Sequence, residues 1–165
     1  LTTYRSLAEE VVDRLARRLG RELARCATAG SALPGATHEP LPLAADLSLR
    51  CRLEPAVATR LVGLYGARAA GIGELVARER GLAAPLGKGG AIAAELVFAF
   101  ESEMAGSLAD CLMRRTMLGL AADQGAGVLE DALAACRAHL GWDAARCAAE
   151  RAGFLEEVAA LHPPA

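Results

Sequence analysis

Leu7, Val11, Leu15, Leu19 and Leu23 recur every fourth residue, which places them along one face of a helix. Glu10–Arg14 and Asp13–Arg17 add i,i+4 pairs with the acid on the N-terminal side, the favourable order. Thr2 or Thr3 can cap its start by accepting backbone N–H bonds, and the helix is expected to run on towards Gly30. Residues 31–42 then hold Pro34, Gly35, Pro40 and Pro42, which cannot stay helical and read as an ordered surface connection. A short helix is expected over 44–51. Glu54-Pro55 opens another, with Val57, Leu61, Leu64 and Tyr65 as its apolar stripe and Gly66 as its stop. Residues 69–80 read as a helix despite Gly71 and Gly73, and 81–90 as a loop. In 91–103 the run Leu96-Val97-Phe98-Ala99-Phe100 suits a strand by residue type. Ile92, Glu95, Leu96 and Ala99 also keep a 3.6 period, so a helix is preferred there. Ser107 looks like the N-cap of a helix over 108–120. Helices over 128–140 and 144–161 close the chain, with Gly141 ending one, Asp143 capping the next and Trp142 anchoring the turn.

This pattern predicts an all-α fold. It is one compact domain over 1–165 with six to seven helices, a long N-terminal helix and a C-terminal helix pair. Composition points the same way. Hydrophobic residues make up 53%, much of it alanine, and aromatics only 4%, so helices packed through small side chains are favoured over sheets. No internal repeat is visible. The formal net charge of −2 implies no general attraction to nucleic acid or anionic lipid. Lys88 is the only lysine beside many arginines, which fits the codon usage of a GC-rich genome better than a phosphate-binding design. No apolar run is long enough for a transmembrane helix, and no signal peptide is visible. The chain begins at Leu1, not Met, with helix-ready sequence at once, so a fragment of a larger protein is expected.

The catalytic inventory is thin. Cys26, Cys51, Cys111, Cys136 and Cys147 form no C-x-x-C pair, and Cys136 and Cys147 sit in apolar helical patterns, so reduced core thiols are expected, with no metal site. His38, His139 and His162 read as surface histidines, His139 suiting the negative end of its helix. G-x-S-x-G is absent. Gly87-Lys88-Gly89-Gly90 lacks the spacing and preceding strand of a phosphate loop, and Gly71-x-Gly73 lacks the third glycine of a dinucleotide fingerprint. No catalytic residue is assigned. The densest segment is Glu103 to Thr116, with Asp110 and Arg114 at i,i+4. It reads as a salt-bridged helix face or an interdomain latch. The sharper alternative is that Arg114 or Arg115 meets an anion at a domain interface.

Several motifs, in order, resemble the C-terminal part of FAD-dependent glycerol-3-phosphate dehydrogenases. They are Leu1-Thr2-Thr3-Tyr4-Arg5 with Leu7-Ala8-Glu9, then Leu33-Pro34-Gly35, Tyr65-Gly66 and Ala94-Glu95. Glu103-Met104-Ala105 follows with Asp110, Leu112 and Arg114-Arg115-Thr116, and last come Gly141-Trp142-Asp143 and Glu150. The L-T-T-Y-R start and the E-x(6)-D-x(3)-R-R-T run are the specific ones. The resemblance implies a parent flavoenzyme that oxidises sn-glycerol 3-phosphate to dihydroxyacetone phosphate and passes electrons through FAD to a quinone, or to oxygen in the oxidase branch. This chain would be its helical cap, inactive alone, with the FAD and substrate domain of the same polypeptide as partner. The parent enzyme would be cytoplasmic and peripheral at the inner membrane. By the same resemblance, Leu1, Thr2 and Thr3 would offer backbone donors to the flavin. The alternative from another class is a free-standing helical interaction module without enzymatic role.

Overall fold

The computed structural model describes residues 3–36 and 39–161. It forms two compact units, Leu1–Ala36 and Thr37–Ala165. The architecture is all-α, with one small two-stranded element among the described residues.

In the first unit, α1 spans Tyr4–Arg18. The expected continuation towards Gly30 does not occur. Gly20 adopts φ +62, a left-handed conformation that glycine takes without steric cost. This lets the Arg21 N–H reach the Ala16 carbonyl at 2.9 Å and the Gly20 N–H reach the Arg17 carbonyl at 3.3 Å. That pair of bonds is the Schellman stop, and Arg17 and Arg18 in the last turn favour it electrostatically. Leu19 and Leu23, placed by periodicity on one helix, therefore lie beyond its end. Thr3 is the N-cap but makes no side-chain cap bond; its carbonyl accepts from the Leu7 N–H and the Ser6 hydroxyl instead. Arg5 pairs with Glu9 at 3.0 Å and reaches the Thr28 hydroxyl at 3.3 Å, tying the following coil to the helix.

The second unit begins with α2 (Pro40–Cys51) and α3 (Pro55–Tyr65), each opened by a proline in the first turn, where its missing N–H costs nothing. α4 (Ala69–Arg78) packs on α2 so closely that a Cβ on Gly73 would fall 2.5 Å from Leu47 Cδ1 and 2.7 Å from Cys51 Sγ. The glycine that weakens α4 as an isolated helix is thus required by its packing. β1 (Pro85–Leu86), within the stretch read as a loop, and β2 (Ala91–Ile92), the first two residues of the stretch read as a helix, form an antiparallel hairpin. α5 (Ala93–Ser102) resolves the segment that suited both helix and strand. All residues from Ala93 to Ala99 are buried, so every face is covered and the period is blurred. One side of α5, including Val97 and Phe98, joins the core made with α2–α4; the other, Leu96 and Ala99, joins the core made with the C-terminal helices. α6 (Leu108–Asp110) starts where Ser107 predicted. α7 (Leu129–Leu140) and α8 (Ala144–Ala160) form the expected C-terminal pair, with Asp143 accepting from the Arg146 N–H at 2.7 Å. Trp142 anchors the turn between them, edge-on to Phe100 with the Arg146 guanidinium over its ring. Among the described residues no helix is long and apolar enough to cross a membrane.

Candidate functional site

The helix expected over 108–120 breaks up, and the break shapes the arginine segment. After α6 the backbone widens into a π-turn, Cys111–Arg115. Both the N–H and the hydroxyl of Thr116 donate to the Cys111 carbonyl at 2.9 Å, and buried Thr116 thereby holds the wide turn closed. Met117 at φ +63 then turns the chain out of the helical path. The start of the segment is heavily capped. Asp110 Oδ2 accepts from the N–H groups of Gly106 and Ser107 at 3.0 and 3.1 Å, and Ser107 Oγ accepts from the Asp110 N–H. The Gly106 bond is the chief cause that lowers the Asp110 pKa, with Ser107 and the Arg114 charge adding to it. From α8, Glu150 accepts the Leu108 N–H at 2.7 Å and pairs with Arg146 at 2.6 Å.

Arg114 pairs with Asp110 at 3.2 Å and with Glu157 of α8, so it is already engaged within its own unit. Arg115 is exposed and forms no hydrogen bond or ion pair among the described residues. The two neighbouring arginines thus have different roles. Glu103, the first member of the motif, pairs with Arg68 at 2.8 Å, and that guanidinium also lies 5.0 Å from the Phe98 ring centre. Leu1 and Thr2 lie outside the described residues; Thr3 sits exposed at the head of α1.

Sequence reasoning assigned no role to the most buried charge. Glu95 is fully buried and accepts three hydrogen bonds: from Arg60 at 2.7 Å, from the Tyr65 hydroxyl at 3.0 Å and from the Ile92 N–H at 2.9 Å. Arg60 also donates to the Thr116 carbonyl at 3.1 Å. One carboxylate therefore joins α3, the strand-to-helix junction at α5 and the end of the π-turn. Burial first, and then the Glu95 charge, push the Tyr65 hydroxyl pKa well up, so it stays a donor. The available signal was a lone acid inside the apolar run 91–100.

The remaining candidates are structural. His139 was expected at the surface, yet its side chain is only 12% exposed, and its Nδ1 bonds Glu79 at 2.6 Å beside Gly81. His38 and His162 lie outside the described residues. Cys51, Cys111 and Cys136 are buried free thiols as expected; Cys147, expected in the core, is half-buried against it, and Cys26 is a half-buried free thiol of the first unit. Burial holds the Cys111 pKa far above the usual thiol range and pushes that of Cys136 up to about 12, so neither is an activated nucleophile. Among the described residues no group of acids, histidines and cysteines is arranged to hold a metal ion.

Residues 26–147 match the family model described as the C-terminal domain of alpha-glycerophosphate oxidase. Over 154 residues the chain is 36% identical to a glycerol-3-phosphate dehydrogenase of Synechocystis sp., a match that takes in 89% of this chain. The chain spans about a quarter of that relative, 27% of its length. No solved structure matches.

Proposed function

The chain belongs to the family of C-terminal domains of alpha-glycerophosphate oxidase, and on that premise we propose that it is the helical C-terminal part of an FAD-dependent glycerol-3-phosphate dehydrogenase. The observation that carries this is the family match across 26–147 together with the dehydrogenase relative. Neither favours a free-standing interaction module. In this role the chain supplies no reacting group; it closes against the flavin and substrate domain of the same polypeptide and buttresses it. The flavin chemistry is oxidation of sn-glycerol 3-phosphate to dihydroxyacetone phosphate, with two electrons passed on to a quinone. A lipid-soluble acceptor would place the parent enzyme at the membrane surface, peripherally and on the cytoplasmic side.

The head of α1 is the part assigned to the cofactor. Leu1, Thr2 and Thr3 would present backbone donors to the anionic edge of the reduced flavin ring. The described end of α1 suits this. Its first turn contains no acid and its last turn holds Arg17 and Arg18, so nothing in the first turn offsets the partial positive charge at the N-terminus. Of the two motif arginines, Arg115 is the one left to meet the partner domain, since Arg114 is committed to Asp110 and Glu157.

The test uses the full polypeptide that contains this chain. It is expected to purify with FAD and to oxidise sn-glycerol 3-phosphate with a quinone analogue as acceptor. Thr3→Pro in that protein is expected to weaken flavin retention or shift the flavin potential. A folded, FAD-loaded protein inert towards sn-glycerol 3-phosphate refutes the proposed activity. An unchanged flavin titration and potential in the Thr3 variant refutes the assignment of the helix head.

A further inference from the structure

The core beneath the C-terminal helix pair gathers Cys111, Cys136 and Cys147. The first two are buried in it, and Cys147 packs against it half-buried. α7 and α8 are in contact and are joined only by Gly141-Trp142-Asp143. Cys136 precedes Leu140, the end of α7, by four positions, and Cys147 follows Ala144, the start of α8, by three. At 1.5 Å per residue the two stand about 6 Å and about 4.5 Å along their helices from the joint, at nearly the same level. Both side chains belong to the same core. Glu150, one turn beyond Cys147 on the same face of α8, accepts the Leu108 N–H, so that face is turned inward. The nearness is also electrostatic: after burial, Cys147 is the next cause that pushes the Cys136 thiol up to about 12.

We propose that Cys136 and Cys147 form a reversible oxidation site, closed by hydrogen peroxide to a disulfide that clips α7 to α8. Cys147, the one that solvent reaches, reacts first. Its sulfur takes one oxygen as the peroxide O–O bond breaks, and the thiol proton leaves with the other oxygen as water. Cys136 then attacks the resulting sulfenic acid. The S–S bond forms as the S–O bond breaks, and the Cys136 proton departs with the hydroxyl as a second water. Two thiols are thus oxidised to one disulfide while one peroxide is reduced to two waters. Burial keeps Cys136 protonated and away from the solvent oxidant, which suits the resolving partner and not the first to react. A reduced flavin that meets dioxygen yields hydrogen peroxide, so the oxidant arises within the same polypeptide. That source rests on the function proposed above; the chemistry of the thiol pair does not. The cross-link closes the 136–147 loop and fastens α8, whose Glu150 and Glu157 hold α6 and Arg114.

The test is titration of the reduced, FAD-loaded full polypeptide with hydrogen peroxide, followed by peptide mass spectrometry with and without dithiothreitol. The expected product is a peptide pair joined through Cys136 and Cys147 and released by the reductant, with Cys111 still reduced. Amides of α8 are expected to exchange with deuterium about tenfold more slowly once the cross-link has formed. Cys136→Ser is expected to stop at the Cys147 sulfenic acid, which dimedone traps, and Cys147→Ser to leave Cys136 unoxidised. Should either variant not fold, the peptide map of the unaltered protein still decides. Excess peroxide that leaves Cys147 unreacted, or carries it to the sulfinic acid without a cross-link, overturns the proposal. So does a disulfide to Cys111 or to a second chain in place of Cys136. A cross-link formed with added peroxide but never during turnover in air refutes the flavin as its source. An enzyme active on sn-glycerol 3-phosphate that forms no cross-link defeats this proposal alone. A protein inert towards that substrate that still forms it defeats the proposed function alone.

Discussion

Replacing Arg60 by methionine removes the charge that compensates Glu95 while keeping most of the aliphatic stem. Glu95 then remains fully buried with only two neutral donors, the Tyr65 hydroxyl and the Ile92 N–H. Breaking a buried ion pair from one side costs about 3–5 kcal/mol, because the orphaned charge has no solvent to return to. Arg60 is itself 21% exposed, so water reaches part of the pair and the lower end applies. The bond to the Thr116 carbonyl is lost as well, adding about 1 kcal/mol. The expected loss is therefore about 3–4 kcal/mol, a large share of the stability of an ordinary domain. At roughly 2–4 °C per kcal/mol, this lowers Tm by about 6–16 °C.

Urea unfolding of the 165-residue chain followed by far-UV circular dichroism, with thermal melts alongside, reads both quantities. The charge argument requires more than a single loss. Glu95→Gln keeps the shape but removes the anion, and with Arg60→Met in the same chain no buried charge is left. The double variant is expected to be more stable than the sum of the single losses by about 1–2 kcal/mol. Tyr65→Phe, which removes a neutral donor, is expected to cost only about 1 kcal/mol beyond its packing. An Arg60→Met loss below about 0.5 kcal/mol, or strict additivity in the cycle, refutes the view that Glu95 is a charged keystone.

Asp110 is held below its ordinary pKa, so the unfolded chain binds its proton more readily and its contribution is present above the unfolded carboxylate value. The stability gap between wild type and Asp110→Asn is therefore expected to close as pH falls from about 4 through the lower folded pKa, and acid titration of the urea midpoint checks it. Gly73→Ala should lose stability despite alanine's helix advantage of about 1 kcal/mol, because overpacking against Leu47 and Cys51 costs about 1–3 kcal/mol; a raised Tm would contradict the close α2–α4 contact. Arg115→Ala is expected to leave the short chain unchanged within about 0.5 kcal/mol but to weaken activity or FAD retention of the full polypeptide. A full polypeptide indifferent to that change removes Arg115 from the interdomain role.

Helix existence was legible from the chain because most elements carry local punctuation. Pro55, Ser107, Gly141 and Asp143 mark their boundaries by backbone geometry and side-chain capping, which depend on few neighbours. The errors fall where a longer-range effect wins. Leu19 and Leu23 continue the period of α1, but the left-handed turn at Gly20 overrides a weak preference to propagate. Beyond Asp110 the residue types still favour a helix, yet Thr116 captures the Cys111 carbonyl with two donors and diverts the backbone. Glu95 was visible as an acid in an apolar run, but its side-chain partners lie 30 and 35 positions away, and nothing local names them. His139 reads as a helix-end cation for the same reason, since its contact with Glu79 is created only by folding.

The charges of the second unit show where its function does not lie. Glu95, Glu103, Asp110, Glu150 and Arg114, which include the most specific motif positions, are engaged in fixing α3, α5, α6 and α8 to one another. A family pattern rich in acids and arginines would ordinarily suggest a reacting or anion-binding centre. Here the same residues cap turns and neutralise one another, which is a structural role. Of the two motif arginines, Arg115 has no hydrogen bond or ion pair among the described residues, and in the other unit Leu7, Val11 and Leu15 of α1 are more than half exposed. Both fit the role proposed above, in which the chain packs against the flavin and substrate domain of the same polypeptide.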